Sequence, residues 1–134
     1  MLFRSEILKI ASDTKNHKVL DKCTHKAKQK NSMCGDEMDV SVKIVKDQIL
    51  DFGYQCKSCI FCQASASVLS NFSINNKIRN IEKAINFFET FFDNDATKIP
   101  KEFKKFKALF QKNNLSRKEC ILLPFKTLSK ALKS

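Results

Sequence analysis

Residues 37–56 read EMDVSVKIVKDQILDFGYQC, and this stretch decides the fold. Met38, Val40, Val42 and Ile44 alternate with Glu37, Asp39, Ser41 and Lys43, a period of two that gives a strand one apolar face and one polar face. Lys46-Asp47 makes a short turn, and Ile49 to Cys56 forms the partner strand of a β-hairpin. Outside the hairpin the period becomes helical. Residues 2–13 carry Phe3, Ile7, Ile10 and Ala11 on one side, and a further helix is expected from about Ile60 to Phe72, starting at or just after Cys59. Residues 77–92 give the clearest helix, with Ile81, Ala84, Ile85, Phe88, Phe91 and Phe92 on one face and Asp93-Asn94-Asp95 at its end. Pro100 is placed to open another helix with Phe103, Phe106 and Phe110 inward, stopped by Asn113-Asn114. The last helix begins near Cys120 and turns Ile121, Phe125, Leu128 and Leu132 inward. The lysine-rich segment 14–33 is expected to be a loop with room for one short strand.

Strands followed by a run of helices imply an α+β fold, helices on one face of a small antiparallel sheet. With 134 residues the chain is read as a single domain, 1–134, without repeat or linker; residues 94–116 are the one candidate for a variable insertion. Twelve Phe and no Trp point to a core packed by phenylalanine, and two Gly and two Pro argue against a turn-rich all-β fold.

No apolar h-region or membrane-length stretch is visible, so the chain is expected in a reducing cytoplasm with no membrane partner. Six cysteines there read as thiols or ligands rather than disulfides. The net charge of +11 is uneven: +5 over residues 1–33, −2 over 34–98 and +8 over 99–134. No stacking platform or nucleic-acid motif accompanies the lysines. The basic tail is therefore read as a solvated face or a docking surface for an acidic protein, and nucleic acid is not an expected partner.

Three cysteines sit in distinctive phrases: Met33-Cys34-Gly35-Asp36, Ser58-Cys59-Ile60-Phe61-Cys62-Gln63-Ala64-Ser65-Ala66-Ser67, and Arg117-Lys118-Glu119-Cys120-Ile121-Leu122-Leu123. Each falls at the edge of an element, and loops and helix N-termini meeting at one end of a domain favour thiolate over thiol. Gly35 permits a bend that turns Asp36 towards the same centre. Three thiolates and a carboxylate, from Cys34, Asp36, Cys59 and Cys120, complete a tetrahedral zinc site. For an iron cluster the oxygen is the poorer ligand, which suits a site that must release its cargo. Cys56-x2-Cys59-x2-Cys62 opens like a ferredoxin run but lacks the fourth cysteine and the proline. Cys62 is either buried packing or a spare sulfur carrier, and Cys56, at a strand end, is read as structural. Cys23 is read as a small buried hydrophobe. His17 and His25 are read as solvated or supporting side chains.

These phrases, in this order, resemble the scaffold proteins of iron–sulfur cluster assembly, the IscU, SufU and NifU N-terminal family. The resemblance runs from about residue 16 to 132. It implies a three-stranded antiparallel sheet with helices, and it puts Cys34, Asp36, Cys59 and Cys120 on the family's cluster or zinc ligands. Glu119 stands where the IscU branch has His, and residues 104–118 lack that branch's chaperone-recognition motif. Gln-Ala-Ser-Ala-Ser and the extra length between Asn94 and Ser116 favour the SufU branch. Ser58, where the family usually has Gly, and Cys62 depart from the pattern.

The function implied is a scaffold that binds a transient 2Fe–2S cluster, takes sulfur from a cysteine desulfurase and hands the cluster to recipient apo-proteins. Cys120 is the expected sulfur acceptor. The alternative is a zinc-dependent sulfurtransferase of the SufU kind that accepts persulfide sulfur. A basic nucleic-acid-binding domain with a structural zinc, and a helical domain with buried thiols and no metal, rank below both.

Overall fold

In the computed structural model, residues 2–31, 35–57, 59–94 and 98–134 are described, with side chains from Ser5 onward. The elements run α1 (Leu2–Ala11), β1 (His25–Lys30), β2 (Glu37–Val45), β3 (Gln48–Lys57), α2 (Ile60–Ser73), β4 (Asn76–Lys77), α3 (Ile78–Glu89) and α4 (Lys118–Leu132). Three 3-10 segments, Phe91–Asp93, Lys101–Phe106 and Lys112–Arg117, lie between α3 and α4. The strands form one antiparallel sheet in the order β1-β2-β3-β4.

The hairpin forms as the alternation predicts. Met38 pairs with Cys56, Val40 with Tyr54 and Val42 with Phe52, all on the core face. Lys46 and Asp47 take φ of 50° and 63°. Two left-handed residues in a two-residue loop match the twist of the flanking strands, so the pair serves without glycine. The register shifts between Lys43 and Ile44, which leaves Leu50 facing outward.

The α+β class holds, and the sheet has a fourth strand beyond the three expected. Asn76 and Lys77 pair with Ile49 and Gln48, after Asn75 turns the chain back with φ of 64°. Two residues are too few to show a period. β1 is the short strand allowed for in the lysine-rich segment; its lysines point outward and charge the sheet edge.

α2 packs on β3 and α4 on β1 and β2. On the opposite face the segment after α1 crosses Gly53, where an added Cβ would stand 2.6 Å from the Lys18 carbonyl oxygen. Tyr54 N–H donates to the Asn16 carbonyl (3.0 Å), so this segment also pairs with the free edge of β3.

Two expected helices change form. The helix expected over 77–92 ends at Glu89, yet Phe91 and Phe92 are still buried by the 3-10 turn that follows. The helix expected after Pro100 is two 3-10 segments, with Phe103 out of helical geometry. Buried Phe103, Phe106 and Leu109 recur every third residue, and a 3-10 turn stacks residues three apart on one face. Asn114 does not end the stretch: it lies inside the 3-10 segment Lys112–Arg117, which leads straight into α4, and its side-chain amide donates to the Leu109 carbonyl at 3.0 Å. Cys23 is exposed, against the expectation of burial: it lies in a polar turn before β1 with no apolar neighbours in sequence. Among the described residues no helix is long and apolar enough to cross a membrane.

Candidate metal centre

The donor atoms of Asp36, Cys59 and Cys120 all lie within 4.8 Å of one another. Asp36 and Cys120 are buried and Cys59 is half-buried. A single zinc ion bonds sulfur at about 2.3 Å and oxygen at about 2.0–2.2 Å, so small side-chain rotations suffice to close these three on one ion. Cys34 lies outside the described residues.

Each donor owes its position to a local device. Asp36 precedes β2 in the loop from β1, and the loop is closed by Asn31 N–H on the Asp36 carbonyl (2.8 Å) and Gly35 N–H on the Asn31 carbonyl (2.8 Å). Gly35 has φ of 73°, the left-handed bend that an L side chain resists. Cys59 is the N-cap of α2, in extended geometry, and its carbonyl accepts the Cys62 and Gln63 N–H groups. Cys120 sits in the first turn of α4. Cys59 and Cys120 thus both stand at the positive end of a helix, which favours thiolates and bound anions.

Two contacts hold the two helix starts together. Ser65 Oγ on α2 donates to the Ile121 carbonyl at 2.6 Å, in full burial. The Arg117 guanidinium lies 5.5 Å from the centre of the Phe61 ring. The Gln-Ala-Ser-Ala-Ser phrase now has a physical reading. Ala64 and Ala66 allow close approach, Ser65 reaches α4, and Ser67 Oγ donates to the Asp13 carbonyl (2.9 Å) behind α1. In sequence its small residues signalled a helix, but not which neighbour each hydroxyl would meet.

Burial pushes the Cys120 thiol far above its ordinary range, and hydrogen bonds with Asp36 and Cys59 and their charges push the same way. Empty, the centre keeps Cys120 protonated; a cation there reverses the balance and takes the thiolate.

Cys56 and Cys62 are both buried with Sγ atoms 3.3 Å apart, across the junction that carries Cys59. Their spacing, six residues over a strand-to-helix corner, was the available signal for this pair. His17, exposed, receives the Cys56 N–H at Nε2 (3.4 Å) and packs edge-on against Tyr54. Burial, with Cys56 and Asp13 nearby, pushes the Tyr54 hydroxyl up to about 12. His25 Nδ1 is paired with Thr24 Oγ1 at 2.7 Å, away from the donor site.

The chain is 29% identical over 141 residues to an iron–sulfur cluster assembly scaffold protein IscU of Thermotoga maritima, covering 99% of this chain and 94% of that one. Among solved structures it resembles a protein of Fervidobacterium islandicum AW-1 assigned as an iron–sulfur cluster assembly scaffold for the SUF system. The TM-score is 0.84 and the identity 25%, over 94% of this chain and 93% of that one. It also shares its fold with the N-terminal part of a nitrogen-fixing NifU-like protein from Brucella abortus, with TM-score 0.86 and 20% identity over 95% and 89% of the two chains. The profile of the NifU-like N-terminal domain matches residues 2–112, and the chain belongs to that family of iron–sulfur cluster assembly scaffolds.

Proposed function

We propose that this chain assembles a labile 2Fe–2S cluster on Cys34, Asp36, Cys59 and Cys120 and passes it to recipient apo-proteins in a reducing cytoplasm. The observation that carries this reading is the convergence of Asp36, Cys59 and Cys120 donor atoms at two helix N-termini. Cys34, two residues before Asp36, is the fourth donor of the proposal. The cluster is cargo. Helix N-termini stabilise its negative charge, and the Asp36 oxygen, a poorer iron ligand than thiolate, keeps it exchangeable. Sulfur comes from a cysteine desulfurase. Cys120 is the proposed acceptor, to be tested against Cys59, which is the more exposed of the two.

The second reading, a zinc-dependent sulfurtransferase, is favoured by the donor set itself: two sulfurs and a carboxylate oxygen suit zinc without any cluster. Zinc would hold the thiolates deprotonated until an incoming persulfide displaced one.

Protein purified without oxygen separates the two. Iron and sulfide with visible absorption support the scaffold; stoichiometric zinc without colour supports the sulfurtransferase; neither metal overturns both. For the scaffold, Asp36→Ala is expected to prolong the lifetime of a reconstituted cluster, and an unchanged lifetime removes the role given to Asp36.

A further inference from the structure

Cys56 and Cys62 take no part in the proposed donor set. Cys56 ends β3 on the core face, and Cys62 lies in the first turn of α2. Their sulfurs are 3.3 Å apart, in van der Waals contact and close to bonding reach. Cys62 is fully buried, and Cys56 is 9% exposed. A slightly exposed cysteine in sulfur–sulfur contact with a fully buried one is the arrangement of an attacking and a resolving thiol.

We propose that Cys56 and Cys62 form a two-electron couple that reduces the sulfane sulfur of a persulfide to sulfide. The Cys56 thiolate attacks the outer sulfur of R–S–SH; a new S–S bond forms on Cys56, the old one breaks, and RS⁻ leaves and takes up the Cys56 proton. The Cys62 thiolate then attacks Cys56 Sγ, closing the Cys56–Cys62 disulfide and expelling HS⁻. Two thiols and one persulfide become one disulfide, one thiol and one hydrogen sulfide; the two electrons move from the cysteine sulfurs to the departing sulfur. An external thiol reductant reopens the pair. The inference deepens the scaffold reading, since cluster assembly needs sulfide rather than sulfane sulfur, and it rests on that reading only for the source of the persulfide. That source is either a small persulfide reaching Cys56 from solvent or sulfur held on Cys59, three residues from each partner.

Trypsin, cutting after Lys46, Lys57 and Lys77, puts Cys56 on peptide 47–57 and Cys62 on peptide 58–77. The reduced full chain is mixed with glutathione persulfide without oxygen, and sulfide and peptides are measured. The expected result is sulfide release together with linkage of the two peptides through Cys56 and Cys62, found by fragmentation. Linkage retained in Cys59→Ser assigns direct attack on Cys56, and linkage lost there assigns delivery through Cys59. Unlinked wild-type peptides, linkage through Cys59 in place of Cys62, or wild-type sulfide release by folded Cys56→Ala and Cys62→Ala overturns the proposal. If either variant fails to fold by circular dichroism, the wild-type peptide map decides alone. Metal content of the same samples reports separately on the donor site, so failure of the scaffold reading leaves the dithiol result standing.

Discussion

Two ends of this molecule are built on opposite principles. At one end Phe88 meets the rings of Phe87, Phe91, Phe103, Phe106, Phe110 and Phe125, with centroids 4.1 to 6.3 Å away. No single contact there is indispensable to the others' positions, because every ring is held by several neighbours. At the other end each donor hangs on one or two devices: Gly35 and the Asn31 pairing for Asp36, an N-cap for Cys59, the Ser65 clamp for the turn carrying Cys120. Stability is therefore concentrated in the phenylalanine cluster, and ligand geometry in a handful of hydrogen bonds. Mutations at the two ends are expected to move different observables.

Phe88→Ala is the severest test of this division. It empties the most connected buried ring and is expected to cost about 3–5 kcal/mol in urea denaturation, while the folded fraction still binds zinc as the wild type does. Zinc affinity falling in step with stability would show that the two ends are one cooperative unit.

Asp36→Ala inverts the pattern. Supporting partners of metal ligands cost about 10–100-fold in affinity, so a proposed ligand should reach at least about 100-fold, roughly 2.7 kcal/mol. Thermal stability of the metal-free protein should move far less than with Phe88→Ala. Competition with a chromophoric chelator measures the first and calorimetry the second.

The buried Cys120 thiol adds a pH signature to the donor end. An unfolded thiol loses its proton near the ordinary 9.0, whereas burial holds the folded one protonated to higher pH. Above pH 9 ionisation therefore favours the unfolded chain, and the metal-free protein should lose up to about 1.4 kcal/mol per pH unit. Between pH 9 and 10 the loss should vanish in Cys120→Ala; above that range Tyr54, whose buried hydroxyl is pushed from 10.0 up to about 12, adds a loss that the variant keeps. Zinc affinity should change in the other direction, rising with pH because the bound thiol must shed its proton.

Ser65→Ala sits where the two principles meet. It removes the second donor to the Ile121 carbonyl, which keeps its place in the α4 ladder, and is expected to cost about 0.5–1.5 kcal/mol; it also loosens the turn that carries Cys120, with about tenfold weaker zinc binding. Loss of stability with unchanged affinity would mean that the clamp packs the helices but does not aim the ligand.

The same contrast explains what was legible in the sequence. The hairpin and the inward faces of α3 and α4 announced themselves through period, because burial of a stripe needs repeated apolar residues. Phe103, Phe106 and Phe110 were read as inward and are buried, but spacing could not separate an α-helix from 3-10 turns. β4 has no period to show. At the site, Asp36, Cys59 and Cys120 were legible as types in local phrases, and their nearness came only with the fold. The Cys56–Cys62 contact and the Ser65 clamp were hidden because both depend on how a corner and two helices meet.

The mildest change lies outside both, at the hairpin turn. Asp47 has φ of 63° and its carbonyl accepts the Ile78 N–H at 2.8 Å, tying the turn to the start of α3. A left-handed residue with a side chain costs about 1–2 kcal/mol. Glycine removes that cost but adds about 0.5–1 kcal/mol of unfolded-chain freedom. Asp47→Gly should keep the carbonyl bond and stabilise the protein by about 0.5–1 kcal/mol, seen as a higher urea midpoint with an unchanged slope. Zinc affinity should not move, since no donor device runs through this turn. A destabilised variant would mean that the Asp47 side chain, rather than its backbone conformation, holds the corner, and a shift in zinc affinity would extend the donor end through α3 to a part of the sheet that the hydrogen-bond geometry keeps separate.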